Sequence, residues 1–358
     1  MIKSRKKILK TKKLTSNNIS SYNYTFILSM RDDGIEYNTN FLRQFLLDYN
    51  LTETKDSQKK TTYLHIQHLA NGKYETKYYN TPAYLMNIMS KEKSVITNKF
   101  NLYMNFYKQY PAECLKYMAK TWNVNNFNSK KLNGRNVFIM RPVGIGAFSG
   151  HDIAVITTNK EFDKIKRKIS KRYPIIIISE YITKPMLWEG KKFHIRSYLL
   201  AKNINNIYTT YFYDFYEIFT ADKLYKYGDW ENMDIHDTHL KSVGKYIMGP
   251  CDFNSNMKNI FTDKIYPQMQ KCMIFVSKLL KGYAKPYPNA KNAFEVFGCD
   301  FMATDDYKVK LLEINEHTGL SMEDFPDRKD EFSMKYFSKI NDFVLKPIFN
   351  TKSLYSLQ

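Results

Sequence analysis

The stretch Phe294-Glu-Val-Phe-Gly-Cys-Asp-Phe-Met-Ala-Thr-Asp-Asp-Tyr-Lys-Val-Lys-Leu-Leu-Glu-Ile-Asn315 decides the reading of this chain. Two strand-like runs, Phe294–Ala303 and Lys308–Asn315, flank the turn signal Asp305-Asp306, so the segment predicts a β-hairpin. A turn centred between the two aspartates sets Thr304 opposite Tyr307 and Asp300 opposite Leu311. Side chains alternate along a strand, so Asp300, Glu313 and Asn315 project from one face within diagonal reach. Two carboxylates and an amide oxygen make a hard, all-oxygen donor set that suits Mg2+. The inference hangs on register, because an odd-length loop turns Asp300 to the other face. The same alternation also describes a hairpin with polar residues on its solvent side.

Working outward, Lys192-Phe-His-Ile-Arg196 alternates so that Lys192, His194 and Arg196 share one strand face. Arginine grips phosphate oxygens bidentately and lysine acts as a point charge, although an exposed basic strand has the same pattern. The loop Arg141-Pro-Val-Gly-Ile-Gly-Ala-Phe-Ser-Gly150 follows a short buried-type strand, 136–140. Its Gly144, Gly146 and Gly150 would let backbone amides approach a phosphate; an ordinary tight turn fits equally, and neither the P-loop nor the dinucleotide pattern is present. Asp234-Ile-His-Asp-Thr-His239 fits no zinc spacing and reads as a polar loop.

Elsewhere, strands are expected at 24–28, 61–67, 153–157, 175–178 and 191–200. Helical spacing is expected at 83–92, 99–119, 161–171 and 264–283, with Leu102, Met104, Phe106 and Tyr107 near one face. The run Ile175–Ile178 is apolar on both sides and reads as a central strand, and 220–250 reads as polar and irregular. Strands and helices mix without strict βαβ alternation, which favours an α+β fold.

In order along the chain, these pieces resemble the tubulin–tyrosine ligase-like branch of the ATP-grasp enzymes, from about residue 94 to 330. Ile96-Thr-Asn-Lys99 resembles the family's early segment with a nucleotide-contacting lysine, and Tyr117–Trp122 the segment after it. Phe138–Gly144 resembles the strand and loop over the phosphates, and Ile178-Ser-Glu-Tyr-Ile182 the adenine hinge. Gly190–Tyr198 resembles the motif G-x-K-F-D-x-R, and His236–His239 the motif H-x-T-N. Phe297–Asp300 and Leu312–Asn315 resemble the metal-binding pair, and they make the match specific.

The resemblance implies an ATP-grasp fold with mixed and antiparallel sheets and nucleotide held between two lobes. It divides the chain into a basic flexible arm (1–20), an N-terminal domain (21–90), a central ATP-grasp domain (91–182) and a C-terminal ATP-grasp domain with the metal site (183–350). It implies ATP contacts from Lys99, Arg141, Gly144, Gly146, Gly150, Ser179, Glu180, Tyr181, Ile182, Lys192, His194, Thr238 and His239. Mg2+ falls to Asp300, Glu313 and Asn315, and the catalytic charges to Lys192 and Arg196. The implied reaction activates a carboxylate as an acyl phosphate, which an amine then attacks. His194 stands where the family has Asp, His239 where it has Asn, and Tyr208–Tyr225 lacks the Arg often found in members that bind a free amino acid.

Composition bounds the alternatives. The 358 residues and 43% hydrophobic content supply a sizeable folded core and exclude global disorder. The net charge of +20 suits an acidic partner such as a tubulin tail, and Lys3–Lys13 concentrates part of it. Four cysteines without paired spacing suggest no zinc site or disulfide framework, and no apolar run spans a bilayer. A cytoplasmic monomer acting on a protein and a free amino acid is the expectation, with no membrane and no nucleic-acid partner. Its competitors are a catalytically weak binding module for microtubules or another acidic partner, and a nucleic-acid-binding protein.

Overall fold

A computed structural model describes residues 25–29, 40–54, 62–67, 83–87, 92, 94–143, 152–238, 255–286, 290–316, 318 and 329–349. In chain order the elements are β1 (Thr25–Ser29), α1 (Asn40–Asp48), β2 (Thr52–Glu53), β3 (Thr62–Gln67), β4 (Ala83–Met86), α2 (Ser94–Thr97), α3 (Lys99–Gln109) and α4 (Pro111–Tyr117). Next come β5 (Thr121–Asn123), β6 (Asn133–Val143), β7 (Ala154–Thr158), α5 (Asn159–Ile169), β8 (Ile175–Glu180), β9 (Leu187–Trp188), β10 (Lys191–Ile204) and β11 (Ile207–Leu224). The chain continues with α6 (Ser255–Ile260), a π-turn (Phe261–Ile265), α7 (Tyr266–Lys281), β12 (Ala290–Ala303) and β13 (Val309–Asn315). It closes with α8 (Lys329–Ile340), a second π-turn (Asn341–Leu345) and α9 (Lys346–Phe349).

Two sheets organise these elements. The larger runs β11-β10-β12-β4-β3-β1-β2, with β13 also on β12 and β9 on β10. The long β12 makes this possible: on one edge its first residues pair with β4 and its last with β13. The smaller sheet runs β5-β8-β6-β7. The expected central strand at 175–178 is β8, inside that sheet, with Ile176, Ile177 and Ile178 buried.

Three cores hold the layers. One face of the large sheet (Phe193, Ile195, Leu199, Phe297, Cys299, Phe301) packs on α3, α4 and α7 through Leu102, Phe106, Cys272, Met273 and Val276. The opposite face is apolar over only part of its length: Tyr198, Leu200, Phe294 and Val296 lie under α1, α8, the second π-turn and α9 through Leu42, Phe332, Phe337, Leu345 and Ile348. The small sheet packs on α5 through Phe138, Ile156, Phe162 and Ile178.

Local chemistry fixes the boundaries. Thr158 and Glu161 form a capping box that starts α5. Asn98 caps α3 by accepting from Phe100 and Asn101. Pro111 splits the expected 99–119 helix into α3 and α4, because it has no backbone N–H for the helical ladder. Leu102, Tyr103 and Phe106 are buried, while Met104 and Tyr107 are 45% and 43% exposed, so the packed face is narrower than the spacing implied. Residues 83–86 form a strand where a helix was expected: β3 and β12 flank the segment, and their ladder hydrogen bonds outweigh local spacing. The strand β11 occupies 207–224 beside β10, joined by Asn205 and Asn206 at φ +51° and +63°, the left-handed pair of a tight hairpin.

The decisive hairpin also differs from its expected register. Ala303 pairs with Val309, leaving the five-residue loop 304–308, and Tyr307 turns it at φ +62°. Thr304 therefore lies opposite Lys308, and both their backbones and the Thr304 hydroxyl are bonded together. That odd loop alone would point Asp300 and Glu313 to opposite faces. A bulge after Asp300, with Leu312 as the extra residue, restores the match, so Asp300 sits directly opposite Glu313 and not Leu311.

Candidate active site

The bulged hairpin places one charge on each of four adjacent strands. Glu217 (β11) pairs with Arg196 (β10), Arg196 with Asp300 (β12), and Asp300 with Glu313 (β13). Arg196 donates from Nε to Asp300 Oδ1 and from Nη2 to Oδ2, each at 2.7 Å. Burial would raise the Asp300 pKa, but the Arg196 charge and its two hydrogen bonds hold it below the usual carboxylate range. The Asn315 amide Nδ2 donates to Asp300 Oδ2 (3.2 Å) and Glu313 Oε1 (3.1 Å), and Lys99 pairs with Glu313 Oε2 at 2.8 Å.

This donor set fits Mg2+. A donor group, the Asn315 amino nitrogen, bridges two carboxylate oxygens that face each other; turning the amide by half a rotation presents its oxygen beside them. Among the described residues no cluster of three or more His, Cys, Asp or Glu forms a metal cage. A site with only two carboxylates suits a hard ion whose coordination is completed by phosphate or water.

A second group lies where the two sheets meet. Lys192 is buried, and its ammonium donates to the Tyr181 hydroxyl at 2.7 Å while lying 4.3 Å from that ring's centre. Burial, then the nearby Arg141 charge, push Lys192 down to about 7, with Asp237 opposing them. Arg141 is itself lowered by burial, and its Nε is buried without a hydrogen-bond partner. Two buried cations, one depressing the other and one with an unanswered donor, form a cradle that fits the phosphates of a nucleotide. The Tyr181 hydroxyl meets His236 Nδ1 at 2.6 Å, and His236 Nε2 meets the Asp229 carbonyl at 2.8 Å. Burial pushes His236 down to about 4. His194 is buried, bonded through Nδ1 to Thr238 Oγ1 at 2.5 Å and stacked on Phe219.

The hinge-like segment links the sheets. Ser179 shares a 2.8 Å hydrogen bond with Thr121, Glu180 N donates to Lys120 O, and Tyr181 N donates to Val137 O. Glu180 is exposed and Ile182 half-buried, just past the end of β8.

The sequence profile of the tubulin-tyrosine ligase family matches residues 57–246 and 251–329. The chain belongs to the tubulin-tyrosine ligase family. Its fold is ATP-grasp-like, with mixed parallel and antiparallel sheets. It is similar to tubulin glycylase 3C of Tetrahymena thermophila (28% identical over 252 residues, 64% of this chain and 21% of the relative). It is similar to the probable tubulin–tyrosine ligase PBY1 of Saccharomyces cerevisiae (28% over 228 residues, 56% of this chain and 28% of the relative). A third relative, the inactive polyglycylase TTLL10 of Homo sapiens, is 25% identical over 209 residues, 52% of this chain and 30% of the relative. The matched stretch thus spans less than a third of each of these relatives.

Within this tubulin-tyrosine ligase family member, Lys99, Arg196, Asp300, Glu313 and Asn315 form one contiguous cluster. Lys192, Tyr181 and, through electrostatics, Arg141 form a second, with His194 and Thr238 bonded to each other nearby. Gly144, Gly146, Gly150 and His239 lie outside the described residues, as does the 1–20 arm. Sequence reasoning missed Glu217, because β11 was not recognised, and the burial of His236, because 234–239 read as a polar loop. In the structure His236, Asp237 and Thr238 are buried. The signal was the aromatic density around them: Trp230 stacks on His236, Tyr225 meets His236 edge-on, and Tyr227 meets Trp230 edge-on. No helix among the described residues is long and apolar enough to cross a membrane.

Proposed function

We propose that the protein is an ATP- and Mg2+-dependent ligase that joins an amino acid to an acidic protein acceptor, such as a tubulin tail, through an amide bond. The observation that carries this reading is the convergence of Asp300, Glu313 and Asn315 beside the partly buried Arg196. Mg2+ would supply charge neutralisation at the nucleotide phosphates. Transfer of the terminal phosphoryl group to a carboxylate oxygen would release ADP. Attack of an amine on the acyl carbon would then expel phosphate and form the amide.

The protein's own residues act by position and charge. Asp300 fixes the Arg196 guanidinium by two parallel hydrogen bonds and the Thr318 carbonyl accepts from Nη1 at 3.4 Å, so the charge is held in place without reorganisation. Lys192 and Arg141 meet phosphate charge, which favours the protonated form of a Lys192 that burial holds down at about 7. Lys99 holds Glu313 in place. The +20 charge favours encounter with an acidic acceptor.

The test is incorporation of radiolabelled glycine, glutamate or tyrosine into tubulin or a glutamate-rich peptide, with ADP release followed in parallel. Label that requires both ATP and Mg2+ is expected. A second reading, a binding module without turnover, is favoured by His194: its buried ring is bonded to Thr238 and stacked on Phe219 where the family motif carries an acid. ATP binding with neither label nor ADP release would select it.

A further inference from the structure

The hydrogen bonds around Tyr181 run in one direction. The Lys192 ammonium has only donors, so the Tyr181 oxygen accepts from it. The Tyr181 proton is then free to go to His236 Nδ1, which must be the acceptor. That leaves the His236 proton on Nε2, where it donates to the Asp229 carbonyl. The relay from Lys192 to Tyr181 to His236 to the Asp229 backbone is thus satisfied at every atom, with His236 neutral. Trp230 lies nearly parallel to the His236 ring (26° between planes) and edge-on to Tyr181, which locks both rings in place.

We infer that His236 is a positioning residue: by accepting the Tyr181 proton it orients the phenol oxygen that holds the Lys192 ammonium toward the phosphate cradle. The inference rests on the nucleotide reading above and adds to it a residue that does not touch nucleotide. Groups outside a site that orient those inside commonly cost ten- to a hundredfold when removed. The other charged groups acting on this relay are Arg141 from β6, which opposes the Lys192 charge, Asp237, which supports it, and Asp229 beside His236.

The experiment compares wild type with Tyr181→Phe, His236→Leu, their double mutant and His236→Asn. Asn places a carbonyl oxygen where Nδ1 stands, so it keeps the acceptor. Binding of a non-hydrolysable ATP analogue and of adenosine is measured by titration. The Lys192 side-chain titration is followed by NMR in the same samples. The expected result is a roughly tenfold weaker ATP analogue in each single mutant. The double mutant should be no worse than either single, as for members of one chain of contacts. His236→Asn should recover the loss, adenosine affinity should not change in His236→Leu, and the Lys192 titration should move in both single mutants. Additive losses, an equal loss for adenosine, or an unmoved Lys192 would overturn the assignment and leave His236 as hinge packing. If wild type binds no nucleotide, the proposed function fails by itself, and the Lys192 titration alone decides whether His236 acts through Tyr181.

Discussion

The even-numbered residues of β10 all face one side of the large sheet, and the two ends of that side differ. Tyr198 and Leu200 are sealed beneath α1, α8 and α9 by aromatic and aliphatic side chains. Lys192 and His194 are as deeply enclosed along the same strand and Arg196 is partly so, yet each carries a ring nitrogen or a cation. The apolar end converts burial into stability. The polar end spends burial on holding charges in fixed positions, and one of them, Lys192, is held against its own preference for water. A single strand thus serves as core at one end and as a site at the other.

The largest effect expected is from Asp300→Ala. It strands the Arg196 guanidinium without its counter-charge and should cost ~3–5 kcal/mol in denaturant unfolding. Leu345→Ala, at the apolar end and fully buried, should cost ~3 kcal/mol by leaving a cavity while nucleotide affinity of the folded fraction stays as in wild type. Lys192→Met should instead raise stability at pH 7, on the order of 1–2 kcal/mol, while weakening nucleotide binding. This sign separates the two ends most cleanly: a substitution that stabilises the fold and damages the site is possible only at the polar end.

The pH dependence of Lys192 has a defined sign. Its folded pKa of about 7 lies below the ordinary value of 10.5. Between those values the unfolded chain holds more protons than the folded one, so this group's contribution to stability rises with pH across that window. Lys192→Met removes the slope, which unfolding curves at pH 7 and 9 would detect. Nucleotide binding runs the other way: the charged form binds phosphate, so affinity should fall as pH rises above about 7. The smallest effect belongs to Lys99→Ala. Its pair with Glu313 is partly solvated, and its loss should cost ~0.5 kcal/mol of stability.

The same contrast explains what the sequence made legible. Alternation along β10 placed Lys192, His194 and Arg196 on one face, because period-two patterning is a property of the strand itself; that Asp300 shares this face follows from the β10–β12 pairing. Alternation about an assumed two-residue turn grouped Asp300, Glu313 and Asn315, and the family motifs agreed, but the reason they meet is the pairing of an odd loop with a bulge at Leu312. Neither compensating defect has a local signature. The strand β4 read as a helix because its partners, β3 and β12, lie far away in sequence. The aromatic strand β11 and helix α8 escaped for the same reason: they are specified by packing against the apolar end of the sheet. The relay through Tyr181 and His236 joins residues 181, 192 and 236, whose proximity only the assembled sheets create.

The central claim is that the polar end of the sheet is a metal–nucleotide site. The most direct test is a calorimetric titration of the folded protein with a non-hydrolysable ATP analogue, with and without Mg2+, beside Glu313→Gln. That variant keeps the shape of the side chain and the Arg196–Asp300 pair while removing one carboxylate from the cluster. The account predicts tight binding that depends on Mg2+ in wild type and loses that dependence in the variant. Binding of equal strength with and without Mg2+, or the same Mg2+ dependence in Glu313→Gln, would contradict it.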